Sequence, residues 1–118
     1  MSWKLTVNRE CQEGVAVLSV VGRLGAASSG SLIEAIVGAI EAGDQRLLID
    51  LTSVDYVSSA GLLALDAAAG RMHVAGGSMT LCGLTEPVRL AFELSGLLPH
   101  FSVEPSRDIA VAKLAAGD

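Results

Sequence analysis

The sequence predicts an α/β fold, a single-domain mixed β-sheet with crossover helices in the order ββαβαβαβα. Three observations lead there. The chain opens on two strand-like runs separated by Glu13-Gly14. Apolar strand runs then alternate with segments whose apolar residues recur at helical spacing. Most of the helical segments start at a capping residue and stop at glycine, and this alternation is the pattern of a sheet with crossover helices. At 118 residues the chain has the length of one domain, 1–118, large enough to hold a core without disulfide or metal staples.

Lys4 to Arg9 alternates polar and apolar residues, and Val15 to Val21 is a β-branched apolar run, so the pair forms a hairpin. Gly22-Arg-Leu-Gly25 turns the chain into a Ser/Ala/Gly stretch. Leu32, Ile33, Ile36, Val37 and Ile40 follow at helical spacing, with Ser31 to Glu34 as a capping box and Gly43 as the stop. Arg46 to Leu51 is short and continuously apolar, the pattern of a central strand covered on both faces, and a polar turn is expected after it. Ala60 to Val74 reads as the second helix, with Leu62, Leu65, Ala69 and Met72 on one stripe and Gly76-Gly77 at its end.

Ser78 to Cys82 is the next strand. Thr85 is placed to cap a third helix with Pro87 in its first turn, Val88, Ala91 and Phe92 inward, and Gly96 terminating it. Phe101 to Val103 is a last short strand. Ser106 to Asp108 starts a final helix through Leu114 whose stripe of Ile109, Ala112 and Lys113 is expected to pack on the sheet, and the tail to Asp118 is expected to fray.

Composition narrows the function. Hydrophobic residues at 51% against 18% charged exclude disorder, because such a chain buries enough apolar surface to offset its ordering entropy. Eight Lys+Arg against 13 Asp+Glu give a net charge of -5, the wrong sign for neutralising phosphates, and aromatics at 3% are too few for a base-stacking platform. No direct nucleic-acid partner is expected. Arg23, Glu34, Glu41, Asp50, Asp66 and Glu93 interrupt every apolar stretch that could span a bilayer, and the first ten residues do not read as a signal peptide, so a cytoplasmic protein without membrane insertion is expected.

Cys11 and Cys82 lack metal-ligand spacing, and each is expected as a small buried hydrophobe. No metal or cofactor is expected. Gly22-x-x-Gly25 is not a dinucleotide fingerprint and no phosphate-binding G-x-x-x-x-G-K-[ST] occurs, so the chain is not itself a kinase. Val57-Ser-Ser-Ala-Gly61 half-resembles the G-x-S-x-G nucleophile elbow, but β-branched Val57 stands where the strained turn needs a small residue. His73 and His100 have no neighbouring acid at a triad spacing. No catalytic residue is assigned, and the chain is not expected to be an enzyme.

The informative stretch runs from Leu48-Ile-Asp-Leu51 through Thr-Ser-Val54-Asp-Tyr-Val57 to Ser58-Ser59-Ala60-Gly61-Leu62-Leu63. It resembles the signature of the STAS domain, the family of bacterial anti-sigma-factor antagonists. The likeness extends to the opening hairpin, to Gly22-x-Leu24, and to the run from Leu84-Thr-Glu-Pro-Val88 through Leu94-Ser-Gly96-Leu97. In that family the serine two residues before the motif's glycine is phosphorylated by a partner kinase, and the resemblance carries this role to Ser59. Physical reasoning supports the placement. A serine at a strand-to-helix junction lies at the sheet's edge, where free amides and the positive end of the helix dipole tolerate a phosphate. Ser58 reads instead as a cap or turn residue.

The resemblance further implies a stand-alone antagonist that, unphosphorylated, binds an anti-sigma factor that is often also the serine kinase. Phosphorylation at Ser59 would end that binding and a serine phosphatase would restore it. Arg23, Gly25 and Ser28 are expected at the same end of the sheet as Ser58, Ser59, Ala60, Gly61 and Leu62, together forming the partner-binding surface. Well-known members carry acidic residues where this chain has Ser58 and Gly25. The same fold also serves as a scaffold or regulatory subunit of stress-signalling and transporter complexes, which is the alternative role.

Overall fold

The computed structural model describes residues 4–116. The strands are β1 (Leu5–Gln12), β2 (Val15–Leu24), β3 (Arg46–Val57), β4 (Ser78–Cys82) and β5 (Ser102–Glu104). The helices are α1 (Ser29–Glu41), α2 (Ser59–Val74), α3 (Glu86–Ser95) and α4 (Arg107–Ala115), with a 3-10 turn over Leu98–His100 before β5. The order is the expected one, ββαβαβαβα. The sheet runs β1-β2-β3-β4-β5, with β1 antiparallel to β2 and every other pair parallel. The β1–β2 hairpin closes through Glu13 (φ 52) and Gly14 (φ 80), a turn with both central residues left-handed.

β3 is covered on both faces, as its continuous apolar run requires. Leu47, Ile49 and Leu51 join Leu32 and Ile36 of α1, Leu62, Leu65 and Met72 of α2, and Val88 and Phe92 of α3 in the larger core. Leu48 enters a smaller core with Val15, Val17, Cys82 and the buried side of α4, Ala110, Val111 and Leu114. Three helices therefore lie on one face and α4 alone on the other. No helix of the described residues is long and apolar enough to cross a membrane.

Several boundaries differ from expectation, each for an identifiable reason. β3 continues through Thr52 to Val57 where a polar turn was expected, because Ser53, Val54 and Val57 pair with Val21, Gly22 and Leu24 of an equally prolonged β2. The register shifts between Ser19 and Val21 and again between Gly22 and Leu24, which lets polar residues enter the strand without inverting its buried face. β4 pairs with β3 only as far as Asp50, so β2 and β3 project beyond the rest of the sheet.

α1 starts at Ser29, with Ser28 at the cap position, so the capping box at Ser31 to Glu34 is not formed. The Ser28 hydroxyl instead donates to the Arg23 carbonyl at 2.6 Å and accepts from the Gly25 amide at 3.0 Å, closing the preceding turn. Thr85 stands at the cap of α3, yet its hydroxyl donates to the Val54 carbonyl at 2.7 Å and so ties that helix to the projecting end of β3.

α4 turns Ile109, Ala112 and Lys113 outward, the reverse of the expected packing. Its rotation is set by Arg107, which bonds Asp50, Glu10 and Ser19 on the sheet. Cys82 is buried, but Cys11 is exposed, because β1 has by then run past the cover of α1, at whose end Asp44 holds Arg9 at 2.7 Å. The end of the chain expected to fray, 117–118, lies outside the described residues, while Ala115 still belongs to α4.

Candidate functional site

The projecting end of β2 and β3 carries the site. The Ser58 amide donates to the Leu24 carbonyl at 2.9 Å, so the chain leaves β3 still fastened to β2 and turns directly into α2. Ser58 is extended (φ -89, ψ 170), and its hydroxyl accepts from the Gly61 amide at 3.2 Å, the geometry of an N-cap. Ser59 is thereby the first residue of the helix, and it is exposed. Gly61 is buried one turn inside. A Cβ there would stand 2.7 Å from the Leu24 carbonyl oxygen and 3.0 Å from Val57 Cγ2, so only glycine lets α2 start this close to β2.

Between the β2–α1 loop and the start of α2 lies a groove of about 690 Å³ lined by Gly25, Ala26, Ala27, Tyr56, Val57, Ser58, Ser59 and Ala60. The small residues of the loop keep it open. At its β-strand edge the Arg23 guanidinium lies over the Tyr56 ring, 4.6 Å from the centroid, so the aromatic wall of the groove carries a positive charge on its back.

The residues singled out in the sequence do come together at this end, but not all as surface. Ser59 and Ala60 are exposed, and Ser58 and Arg23 are half-buried. Gly25 and Ser28 are buried in the turn they close, and Leu62, at 4% exposure, belongs to the core that seats the helix. Gly25 still lines the groove, while Ser28, Gly61 and Leu62 shape it from behind. Ala26, Ala27, Tyr56 and Val57 were not anticipated. Tyr56 stands within the signature stretch as the chain's one tyrosine, which was the available signal.

The first turn of α2 suits receipt of an anion. The first turn of α2 holds no acidic residue, and Arg71 and His73 stand in its last turn, so nothing at the N-terminus offsets the positive end of the dipole. A phosphate at such a position gains about 0.3–1 kcal/mol locally. Among the described residues no group of His, Cys, Asp and Glu could hold a metal ion. His100 does have an acid beside it, Asp66, at 3.2 Å, although the sequence spacing gave no sign of it. Asp66 lies two turns along α2, about 10 Å from Ser59 by helical rise. His100, Asp66, His73, Ser78 and Ser102 line a separate groove.

Arg9, paired with Asp44 at the end of α1, is held above its usual range, and the other perturbed groups, Asp50, Cys82 and Arg107, lie on the face that carries α4. Burial raises the Asp50 carboxyl, but hydrogen bonds from the Thr52 hydroxyl (2.5 Å) and amide (3.0 Å) and from Arg107 Nε (3.0 Å) outweigh it and hold it below its usual range. Burial pushes the Cys82 thiol up to about 12, with the neighbouring Asp50 charge adding to the effect.

The model of the STAS domain matches residues 6–110 of this chain. The chain belongs to the STAS domain family. BtrV of Bordetella bronchiseptica, named as a candidate anti-sigma factor antagonist, is 33% identical over 109 residues, which is 92% of each chain. The crystal structure of an anti-sigma factor antagonist from Mycobacterium paratuberculosis superposes with a TM-score of 0.83 at 28% identity, covering 92% of each chain. The Bacillus cell fate determinant SpoIIAA in its phosphorylated form shares the fold, with a TM-score of 0.69 at 17% identity over 92% of this chain and 99% of that one. In this STAS domain the motif Ser58-Ser-Ala-Gly61 thus occupies the junction between the longest strand and the longest helix.

Proposed function

We propose that this STAS domain is an anti-sigma-factor antagonist that works by partner switching. Unphosphorylated, it binds an anti-sigma factor that is also a serine kinase, through the groove between the β2–α1 loop and the start of α2. Phosphorylation of Ser59 ends that binding, and a serine phosphatase restores it. The chain acts by being bound and modified, not by catalysis.

The observation that carries this reading is the division of labour between two adjacent serines. The Ser58 hydroxyl is committed to the Gly61 amide, whereas Ser59 is exposed on the rim of the groove. A kinase can therefore reach Ser59 without uncapping the helix. The added charge of about -1.5 to -2 changes the surface a partner meets while the fold beneath it stays intact. Within an interface such a group must be desolvated or face groups that had met a neutral hydroxyl, and every ~1.4 kcal/mol of that cost lowers affinity tenfold. The relatives named as anti-sigma factor antagonists supply the partner class.

The test is phosphate mapping by intact mass and peptide sequencing after incubation with the serine kinase that co-purifies from the native host. A single phosphate on Ser59 is expected. Phosphate on Ser58, or none, contradicts the assignment.

A further inference from the structure

α2 buries Gly61, Leu62, Leu65, Ala68 and Met72 against the sheet. The opposite side of a surface helix is ordinarily polar. Here it reads Leu63, Ala67, Gly70 and Val74, at the alternating spacing of four and three residues that forms one straight seam. Leu63 is 62% exposed and Val74 88% exposed, and Ala67 and Gly70 between them are exposed as well. Beside the Val74 end lies a hollow of about 520 Å³ lined by Val37 and Ile40 of α1 and Gly70, Arg71 and Val74 of α2. One face of the domain therefore carries an apolar knob at one end and an apolar hollow at the other.

We propose that this face pairs antiparallel with the same face of a second copy of the chain, Leu63 of each copy entering the hollow of the other. The occupant follows from the order of the residues along the helix. A two-fold axis passing between Ala68 and Ala69 sets Leu63 opposite Val74 and Ala67 opposite Gly70. The large side chains then fall at the ends and the smallest at the crossing, so the surface is complementary to itself, as an isologous interface requires.

Gly70 gains a reason it lacks in the isolated copy. A Cβ there would meet nothing within 4 Å, so alanine would fit and would favour the helix. At a helix crossing, a missing side chain lets the two backbones approach. Charges agree with the register. In an antiparallel pair each flank of a helix faces the same flank of its mate, so Asp66 faces the flank that carries His73 of the second copy, about 3 Å off level by helical rise, and Arg71 faces that of Ala64. No like charges are opposed.

The seam from Leu63 to Val74 is about 16 Å long by helical rise and about 10 Å wide. That is small beside the ~800 Å² per partner of a stable interface, so the association is weak and reversible. It does not depend on the reading of Ser59.

Sedimentation equilibrium of the full chain from about 10 µM to about 1 mM tests it. The wild type is expected to pass from monomer toward dimer across this range. Leu63→Asp and Val74→Asp, at exposed positions where the fold is retained by circular dichroism and melting, are expected to raise the dimer dissociation constant at least about tenfold. Concentration-dependent amide shifts are expected along Leu63–Val74 and at Val37 and Ile40. A wild type that stays monomeric to about 1 mM overturns the proposal. So does a dimer that both aspartate variants leave unchanged.

Discussion

The Ser58 amide and the Leu24 carbonyl oxygen, 2.9 Å apart, join the start of α2 to the end of β2. The same carbonyl oxygen is the atom that a side chain at Gly61 would strike. The two contacts fix where the first turn of the helix emerges, and therefore where Ser59 stands relative to Tyr56 and the Gly25-Ala26-Ala27 loop across the groove.

Gly61→Ala is the most direct probe of that spacing. Its Cβ would have to sit 2.7 Å from backbone, which cannot move aside as the end of a flexible side chain does. The expected cost is about 1–3 kcal/mol of unfolding free energy, typical of overpacking, read by urea denaturation. A variant as stable as wild type would mean that α2 is not held against β2 as described.

The cap makes a separate prediction. Ser58→Ala removes the acceptor of the Gly61 amide and is expected to cost about 1 kcal/mol. Ser58→Asp restores a strong N-cap and places the acidic residue that well-known members carry at this position, so its stability is expected to match or exceed wild type.

Thiol chemistry should separate the two cysteines. Cys11 is exposed on β1, whereas Cys82 is buried with its thiol pushed up to about 12, so it stays protonated and shielded. Iodoacetamide on the native protein at neutral pH is expected to label Cys11 alone, and Cys82 only after denaturation. Equal labelling of both in the native state would contradict the burial of Cys82 beneath α4.

Asp50 gives a pH dependence of known sign. Its carboxyl is held below the usual range in the folded state, so the unfolded chain binds the proton more tightly. The stabilisation is fully present above the unfolded carboxylate range and is lost as pH falls through the lowered folded value. Acid titration of the unfolding free energy is expected to show this loss in wild type and a smaller one in Asp50→Asn. Identical acid profiles would remove Asp50 from the account.

The order of elements was legible in the sequence because the apolar periods are distinct. The run Leu47 to Leu51, buried on both faces, differs unmistakably from the helical stripe of Leu62, Leu65 and Met72. The polar end of β3 was not legible, since Ser53 and Asp55 carry no strand signal and the segment is held in the sheet by pairing of Ser53, Val54 and Val57 with β2 across a shifted register. Helix starts divided in the same way. Ser58 and Ser106 spend their hydroxyls on their own helices, while Ser28 spends its hydroxyl on the Arg23 carbonyl of the preceding turn and Thr85 on the distant Val54 carbonyl. The residues of the candidate site could be collected from the motif. Which of them face outward could not, because that depends on the tight approach of Gly61 to Leu24.

The proposed switch is one phosphate on Ser59 that decides whether the partner binds. Its most direct measurement is the affinity of the co-purifying anti-sigma kinase for wild type, Ser59→Ala and Ser59→Asp, by calorimetric titration without ATP. Ser59→Ala is expected to bind as wild type does and Ser59→Asp at least about tenfold more weakly. Equal affinity for all three would contradict it.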